Sequence, residues 1–123
     1  MTGRTDAVFD TKILIDYLVG RDAALREFER YPRRAVGIVT WMELQIGSQN
    51  EEETDVIDLF LREFRTIEIS RPIARRAAEI RRRTRIRLPD AIIWATAETE
   101  DAVLLTRNSK DFPSNDAMVR IPY

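Results

Sequence analysis

Three short apolar runs, Ala7-Val8-Phe9, Ala35-Val36-Gly37-Ile38-Val39 and Val103-Leu104-Leu105-Thr106, are separated by segments whose apolar residues recur at helical spacing. This alternation of strand and helix constrains the chain more than any single residue does. It predicts an α/β fold in which helices are layered on a mostly parallel central sheet. After the first run, Ile13, Leu14, Tyr17 and Leu18 mark one helix, with Gly20 as its stop. A short helix over residues 24–30 ends before Pro32, and the second run then reads as a strand over 35–39. Thr40 and Glu43 have the spacing of a capping box, which predicts a helix from Trp41 toward Gly47. Val56, Ile57, Phe60, Leu61 and Phe64 fall on one side of a helix over 51–64.

Residues 66–69 alternate polar and apolar, the pattern of a short strand. Ser70 caps the next helix, which takes Pro72 in its first turn and runs to about Thr84. Leu88-Pro89-Asp90 opens a largely apolar helix over 91–97, expected to be buried, and residues 118–121 predict a last strand. The longest loop-like stretch is 107–117. There is no internal repeat, low-complexity tract or linker, and 123 residues fit one domain, so residues 1–123 are expected to fold as a single unit.

Composition narrows the chemistry. Apolar residues make up 44% and charged residues 33%, the profile of a globular chain. No apolar run approaches the roughly 20 residues needed to span a bilayer, and Met1 to Asp6 are polar with no signal-peptide core, so the expected location is the cytoplasm. Without Cys or His the chain has no disulfide, no thiolate or imidazole nucleophile and no zinc site built on those ligands. What remains is carboxylates, hydroxyls, Lys, Arg and bound ions; oxygen-only ligand sets suit hard cations such as magnesium or manganese. The net charge of −1 hides a segregation: Glu51, Glu52, Glu53, Asp55 and Asp58 are followed by Arg71, Arg75, Arg76, Arg81, Arg82, Arg83, Arg85 and Arg87. The basic block is either a solvated helix face or a surface that meets phosphates or an acidic protein segment.

Asp10, Glu43, Asp90 and Asp111 each follow an apolar run or a proline near an expected helix start. Each has a local explanation: Asp10 as an N-cap, Glu43 as half of the capping box, Asp90 as a first-turn acid, Asp111 as a turn residue before Phe112 and Pro113. In an open parallel sheet, however, the turns that bear Asp10, Glu43 and Asp111 emerge at the carboxyl ends of the strands, where ligands bind. Carboxylates gathered there repel one another unless a divalent cation offsets their charge.

Four stretches then carry a resemblance: Phe9-Asp10-Thr11-Lys12-Ile13-Leu14-Ile15-Asp16, Thr40-Trp41-Met42-Glu43-Leu44-Gln45-Ile46-Gly47, Leu88-Pro89-Asp90-Ala91-Ile92-Ile93 and Leu105-Thr106-Arg107-Asn108-Ser109-Lys110-Asp111-Phe112. In order and spacing they resemble the motifs of PIN-domain ribonucleases, above all the VapC-type toxins of bacterial toxin-antitoxin pairs. The resemblance implies an α/β/α sandwich and a magnesium- or manganese-dependent endoribonuclease that a cognate antitoxin neutralises. It further implies that Asp10, Asp90, Glu43 and Asp111, in that order of security, hold one or two ions that lower the pKa of a water for in-line attack on phosphorus. Thr11, Thr106 and Asn108 become candidates for orienting carboxylates or waters, and Asp16 an accessory polar group. Where the family commonly has Asn two residues after the first Asp, this chain has Lys12, expected to touch a neighbouring carboxylate or the scissile phosphate.

The same resemblance revalues the Arg71 to Arg87 block as a guide for RNA or a site for the antitoxin. It also implies a homodimer within a toxin-antitoxin hetero-oligomer, with Trp41, Leu14, Tyr17 and Leu18 as candidate interface residues; Trp94 is expected in the core. Two alternatives compete. A phosphorylatable receiver-like module also gathers acids around magnesium, but Asp10 is followed by Thr11 and Lys12 rather than a second acid. A PIN-like module that binds without cleaving is the other, and Lys12 is its motive.

Overall fold

The structure is a computed structural model that describes residues 6–113 and 116–123. Residues 1–5, read as a polar N-terminus, and 114–115 of the expected loop lie outside that range. Strands β1 (Asp6–Phe9), β2 (Arg33–Gly37), β3 (Arg65–Ile67), β4 (Val103–Leu105) and β5 (Val119–Arg120) form one sheet in the order β3-β2-β1-β4-β5. Every neighbouring pair is parallel, so the sheet is more uniform than the mostly parallel one expected. Between the strands lie α1 (Thr11–Leu18), α2 (Asp22–Arg30), α3 (Ile38–Ile46), α4 (Glu51–Leu61), α5 (Arg71–Arg83) and α6 (Leu88–Thr99).

Successive strand residues point to opposite faces, and both faces are covered. Ala7, Phe9, Val36, Val103 and Leu105 pack with Ile13 and Leu14 of α1, Phe28 of α2 and Leu61 of α4. Val8, Ala35 and Leu104 pack on the other side with Ile73, Ala77 and Ile80 of α5 and Ile93 of α6. The result is the α/β/α sandwich. Burying one such aliphatic side chain stabilises by ~1.5–3 kcal/mol, which is why these two clusters rather than any polar contact hold the layers together. Trp94 is half-buried against Phe112, ring centroids 5.5 Å apart and edge-on, as a core residue should be.

Connectivity positions the site. From the central β1 the chain steps outward through β2 to β3, then returns to the other side of β1 for β4 and β5. That reversal opens a crevice between the carboxyl ends of β1 and β4, the place where open α/β sheets take ligands. Phe9 pairs with Leu105 in register, and the Asp10 amide donates to the Leu105 carbonyl at 2.9 Å, so Asp10 and Thr106 leave the sheet side by side.

Several expected boundaries hold: Ser70 caps α5 through its hydroxyl and Ile73 N, and α1 stops before Gly20, whose φ of 85° suits glycine. Others shift. Strand β2 covers Arg33–Gly37 rather than 35–39, α3 begins at Ile38, and its cap is Gly37. Thr40 is therefore no cap, and the expected capping box with Glu43 does not form: both residues lie inside α3. An apolar run such as 35–39 reads alike as strand or buried helix, and packing of Val39 and Leu44 decided between them. Strand β3 spans 65–67 rather than 66–69, and α4 ends at Leu61, before Phe64.

Candidate active site

Asp10 stands at the crevice because it caps α1. Its Oδ1 accepts the Thr11 amide at 2.7 Å, and its Oδ2 accepts the Thr106 hydroxyl at 2.6 Å from across the switch point. Only 7% of the residue is exposed. Burial, against the Thr106 and Thr11 hydrogen bonds, pushes its carboxyl above the ordinary Asp range, and the charges of Asp90 and Glu43 push the same way. Asp90 lies in the first turn of α6, half-buried; burial raises its pKa too, with Asp111 and Glu43 adding repulsion and Arg87 opposing.

Two short networks hold the remaining acids. Thr11 Oγ1 donates to Glu43 Oε1 at 2.5 Å, and the Thr40 hydroxyl lies 3.2 Å from Thr11 Oγ1, so α1 and α3 fix Glu43 jointly. On the other wall, the Asn108 amide donates to Thr106 Oγ1 at 3.0 Å, while Asn108 Nδ2 donates to Asp111 Oδ2 at 3.0 Å and Asn108 Oδ1 accepts the Asp111 amide. A continuous chain of hydrogen bonds thus runs Asp10–Thr106–Asn108–Asp111.

All four acids line one open cleft of about 600 Å³, together with Thr11, Lys12, Asn108, Arg87 and Arg107. Each residue expected at the site except Thr106, which is fully buried behind Asp10, is on that wall. Lys12 is exposed and makes no ion pair with the acids among the described residues. No three described acids form a closed ligand cage; Glu43 is bonded to Thr11 and Asp111 to Asn108. The donor chemistry nevertheless suits a hard divalent cation, since every candidate ligand is oxygen and each Asp10 oxygen keeps a lone pair beyond the hydrogen bond it accepts.

Two features went unread in the sequence. Thr40 acts as a brace for Thr11 rather than as a cap. Arg107, between the predicted Thr106 and Asn108, stands on the cleft wall and pairs with Asp16 at 3.1 Å; its place inside that motif was the available signal. Asp16, read as an accessory polar group, is buried and bonded to Arg107 rather than on the cleft wall.

A parallel sheet with acids at its switch point and helices on both faces defines an α/β/α class with a ligand cleft at the sheet edge, and comparison gives the family. The PIN-domain family model matches residues 7–117, and the chain belongs to that family. Among its relatives, Ribonuclease VapC10 of Mycobacterium tuberculosis (strain ATCC 25618 / H37Rv) is 36% identical over 113 residues, 85% of this chain and 84% of the relative. A toxin-antitoxin complex from Klebsiella pneumoniae contains a chain 40% identical, covering 95% of this chain and 98% of that one with a TM-score of 0.88. DNA-bound VapBC from Salmonella typhimurium, 19% identical with 94% and 95% coverage and a TM-score of 0.80, shares the fold.

Proposed function

We propose that the chain is a VapC-type toxin, a magnesium- or manganese-dependent endoribonuclease restrained by a cognate antitoxin. The observation that carries this reading is the meeting of four carboxylates on one cleft at the switch point, with buried Asp10 repelled by Asp90 and Glu43. Such repulsion is the state a bound cation relieves. Asp10 and Asp90 are the proposed principal ligands, Glu43 the next and Asp111 the last. When bound, the ion supplies Lewis acidity: it activates a water for attack and offsets charge on the phosphate. Thr11, Thr106 and Asn108 do the orienting, because each fixes one carboxylate's rotamer through a hydrogen bond already made. The exposed arginines of α5, with Arg85 and Arg87, supply a sequence-independent attraction for the RNA backbone; Arg76 is excluded because Glu98 binds it through Nε at 2.6 Å.

The toxin reading draws on VapC10, named a ribonuclease, and on the Klebsiella complex, named for its toxin-antitoxin pairing. Partners would cover apolar side chains left exposed on three adjacent helices: Leu18 at the end of α1 and Val19 just after it, Met42 and Ile46 on α3, Val56 and Leu59 on α4. Leu14, expected at a dimer interface, is fully buried, and Tyr17 stacks between Phe28 and Phe60, so the exposed neighbours take their place. No described helix is long and apolar enough to cross a membrane; cytoplasmic residence, where the RNA pool lies, accompanies the proposal. Expression of the chain is expected to arrest bacterial growth and fragment RNA, with relief on co-expression of the antitoxin and no arrest from Asp90→Asn. A wild-type chain that is harmless and leaves RNA intact would favour the module that binds without cleaving.

A further inference from the structure

Arg107 is held in a way that the four acids do not require. Its Nη1 donates to Asp16 Oδ2 at 3.1 Å, and its guanidinium carbon lies 4.8 Å from the ring centre of Tyr123. The Tyr123 hydroxyl donates to the same Asp16 oxygen at 2.9 Å, and Arg21 covers the ring at 4.4 Å while lying 3.7 Å from Asp16. Residues far apart in sequence, from α1, the turn after it, the loop after β4 and the segment after β5, thus meet in one cluster around Asp16 and Tyr123. The segment bearing Tyr123 is itself anchored, since Arg120 of β5 makes a two-point contact with buried Glu27 at 2.7 and 3.0 Å. Burial and the Asp16 hydrogen bond hold the Tyr123 phenol protonated, its pKa pushed up to about 12, so the hydroxyl remains a donor.

An arginine clamped for stability alone would have its donors consumed by the clamp. Here Asp16 takes Nη1 only, and Nε is buried without a hydrogen-bond partner among the described residues, on a side chain that lines the acidic cleft. A buried guanidinium donor left unmade is costly, so the clamp is not built to satisfy this arginine; what Arg107 offers an acceptor is the exposed quarter of its side chain on the cleft wall. Of the three cations on the wall, Lys12 is exposed and Arg87, its side chain 76% exposed, has one ion pair, at 3.7 Å to Asp90, whereas the Arg107 side chain is 25% exposed and fixed from two sides. A planar fork fixed in advance loses little freedom when it binds a phosphate. We propose that Arg107 binds a phosphate of the RNA backbone in the cleft and that Asp16 and Tyr123 position it for that contact. The inference rests on the ribonuclease reading and names a substrate contact for the same site.

The test is RNA binding and cleavage by wild type, Arg107→Gln, Arg107→Lys, Asp16→Asn and Tyr123→Phe, each checked for fold by circular dichroism. Binding of a fluorescent single-stranded RNA is measured in chelator across a salt series, where no metal-dependent cleavage occurs. Arg107→Gln should weaken binding roughly tenfold and lower the slope of log Kd against log salt by about one, the signature of one lost phosphate contact. Arg107→Lys should restore the slope but not the full affinity, because the charge returns without the fork. Asp16→Asn and Tyr123→Phe should raise KM by a smaller factor with the slope unchanged, since the charge stays but is less well placed. Should Arg107→Gln misfold, the lysine variant and the two positioning variants decide the matter: all three at wild-type KM and Kd overturn the proposal. A folded Arg107→Gln with wild-type affinity and slope overturns it too, as does absence of measurable RNA binding by the wild type. Loss of wild-type cleavage with the Arg107 effect on binding intact would overturn the ribonuclease reading and leave the phosphate contact standing.

Discussion

One carboxylate does two jobs at the centre of this molecule. Taken alone, Asp10 read as an N-cap, and the geometry bears that out while leaving it free for the proposed metal role: Oδ1 caps α1, Oδ2 meets Thr106, and the group still stands on the cleft wall. Its buried charge, like that of Asp90, disfavours the metal-free fold. The sign follows from the raised pKa: with the folded protein holding protons that the unfolded chain has released, stability falls as pH rises from the ordinary Asp value of 3.8 to the higher folded value. The penalty is fully present above that window and absent below it. Asp10→Asn is therefore expected to raise the thermal midpoint of the metal-free protein at neutral pH and to flatten the fall in stability above 3.8. Magnesium should raise the midpoint of the wild type but not that of Asp10→Asn, which calorimetry with and without chelator checks. Asp16 and Arg107 show the limit of sequence reading at this scale: their pairing joins residues 16 and 107, and no local spacing announces it.

Elements were legible where pattern and punctuation agreed. Ser70 with Pro72 started α5 as expected, and Val103-Leu104-Leu105 became β4. The junction of β2 and α3 was not, because Ile38 and Val39 are β-branched and apolar, and the run continues unbroken from strand into helix. That shift has a structural consequence: it turns Thr40 toward Thr11, a contact the capping-box reading hid, while α3 presents Glu43 to the cleft as expected. The α5–α6 pair gives a test of the packing. Ile93 is 1% exposed between α6 and the sheet, so Ile93→Ala should cost about 2–5 kcal/mol in urea unfolding. By contrast, Arg82→Glu on the exposed face of α5 should change stability by less than about 0.5 kcal/mol while weakening RNA binding in a salt-dependent way. Equal RNA affinity for that variant would return the basic block to a solvated face.

For the whole molecule, strand order does what no segment can: β1 at the centre and the reversal to β4 bring residues 10, 43, 90 and 111 to one edge. The alternation of runs made a parallel sheet legible, but the order β3-β2-β1-β4-β5 was not, since it depends on which strands pair across long crossovers. The exposed apolar side chains of α1, α3 and α4 predict self-association. Ile46, 81% exposed, is the probe: Ile46→Glu should leave the fold intact and convert a dimer to a monomer by light scattering, and a wild-type chain that is already monomeric at high concentration would contradict the dimer. The central claim is the metal-dependent nuclease, and its most direct measurement is cleavage of a labelled RNA by purified protein with magnesium or manganese, with excess chelator, and with Asp10→Asn and Asp90→Asn. Cleavage should require the ion and fall in both folded variants by more than the roughly 100-fold that loss of a supporting partner costs. Cleavage that survives chelation, or persists undiminished in Asp90→Asn, would contradict the account.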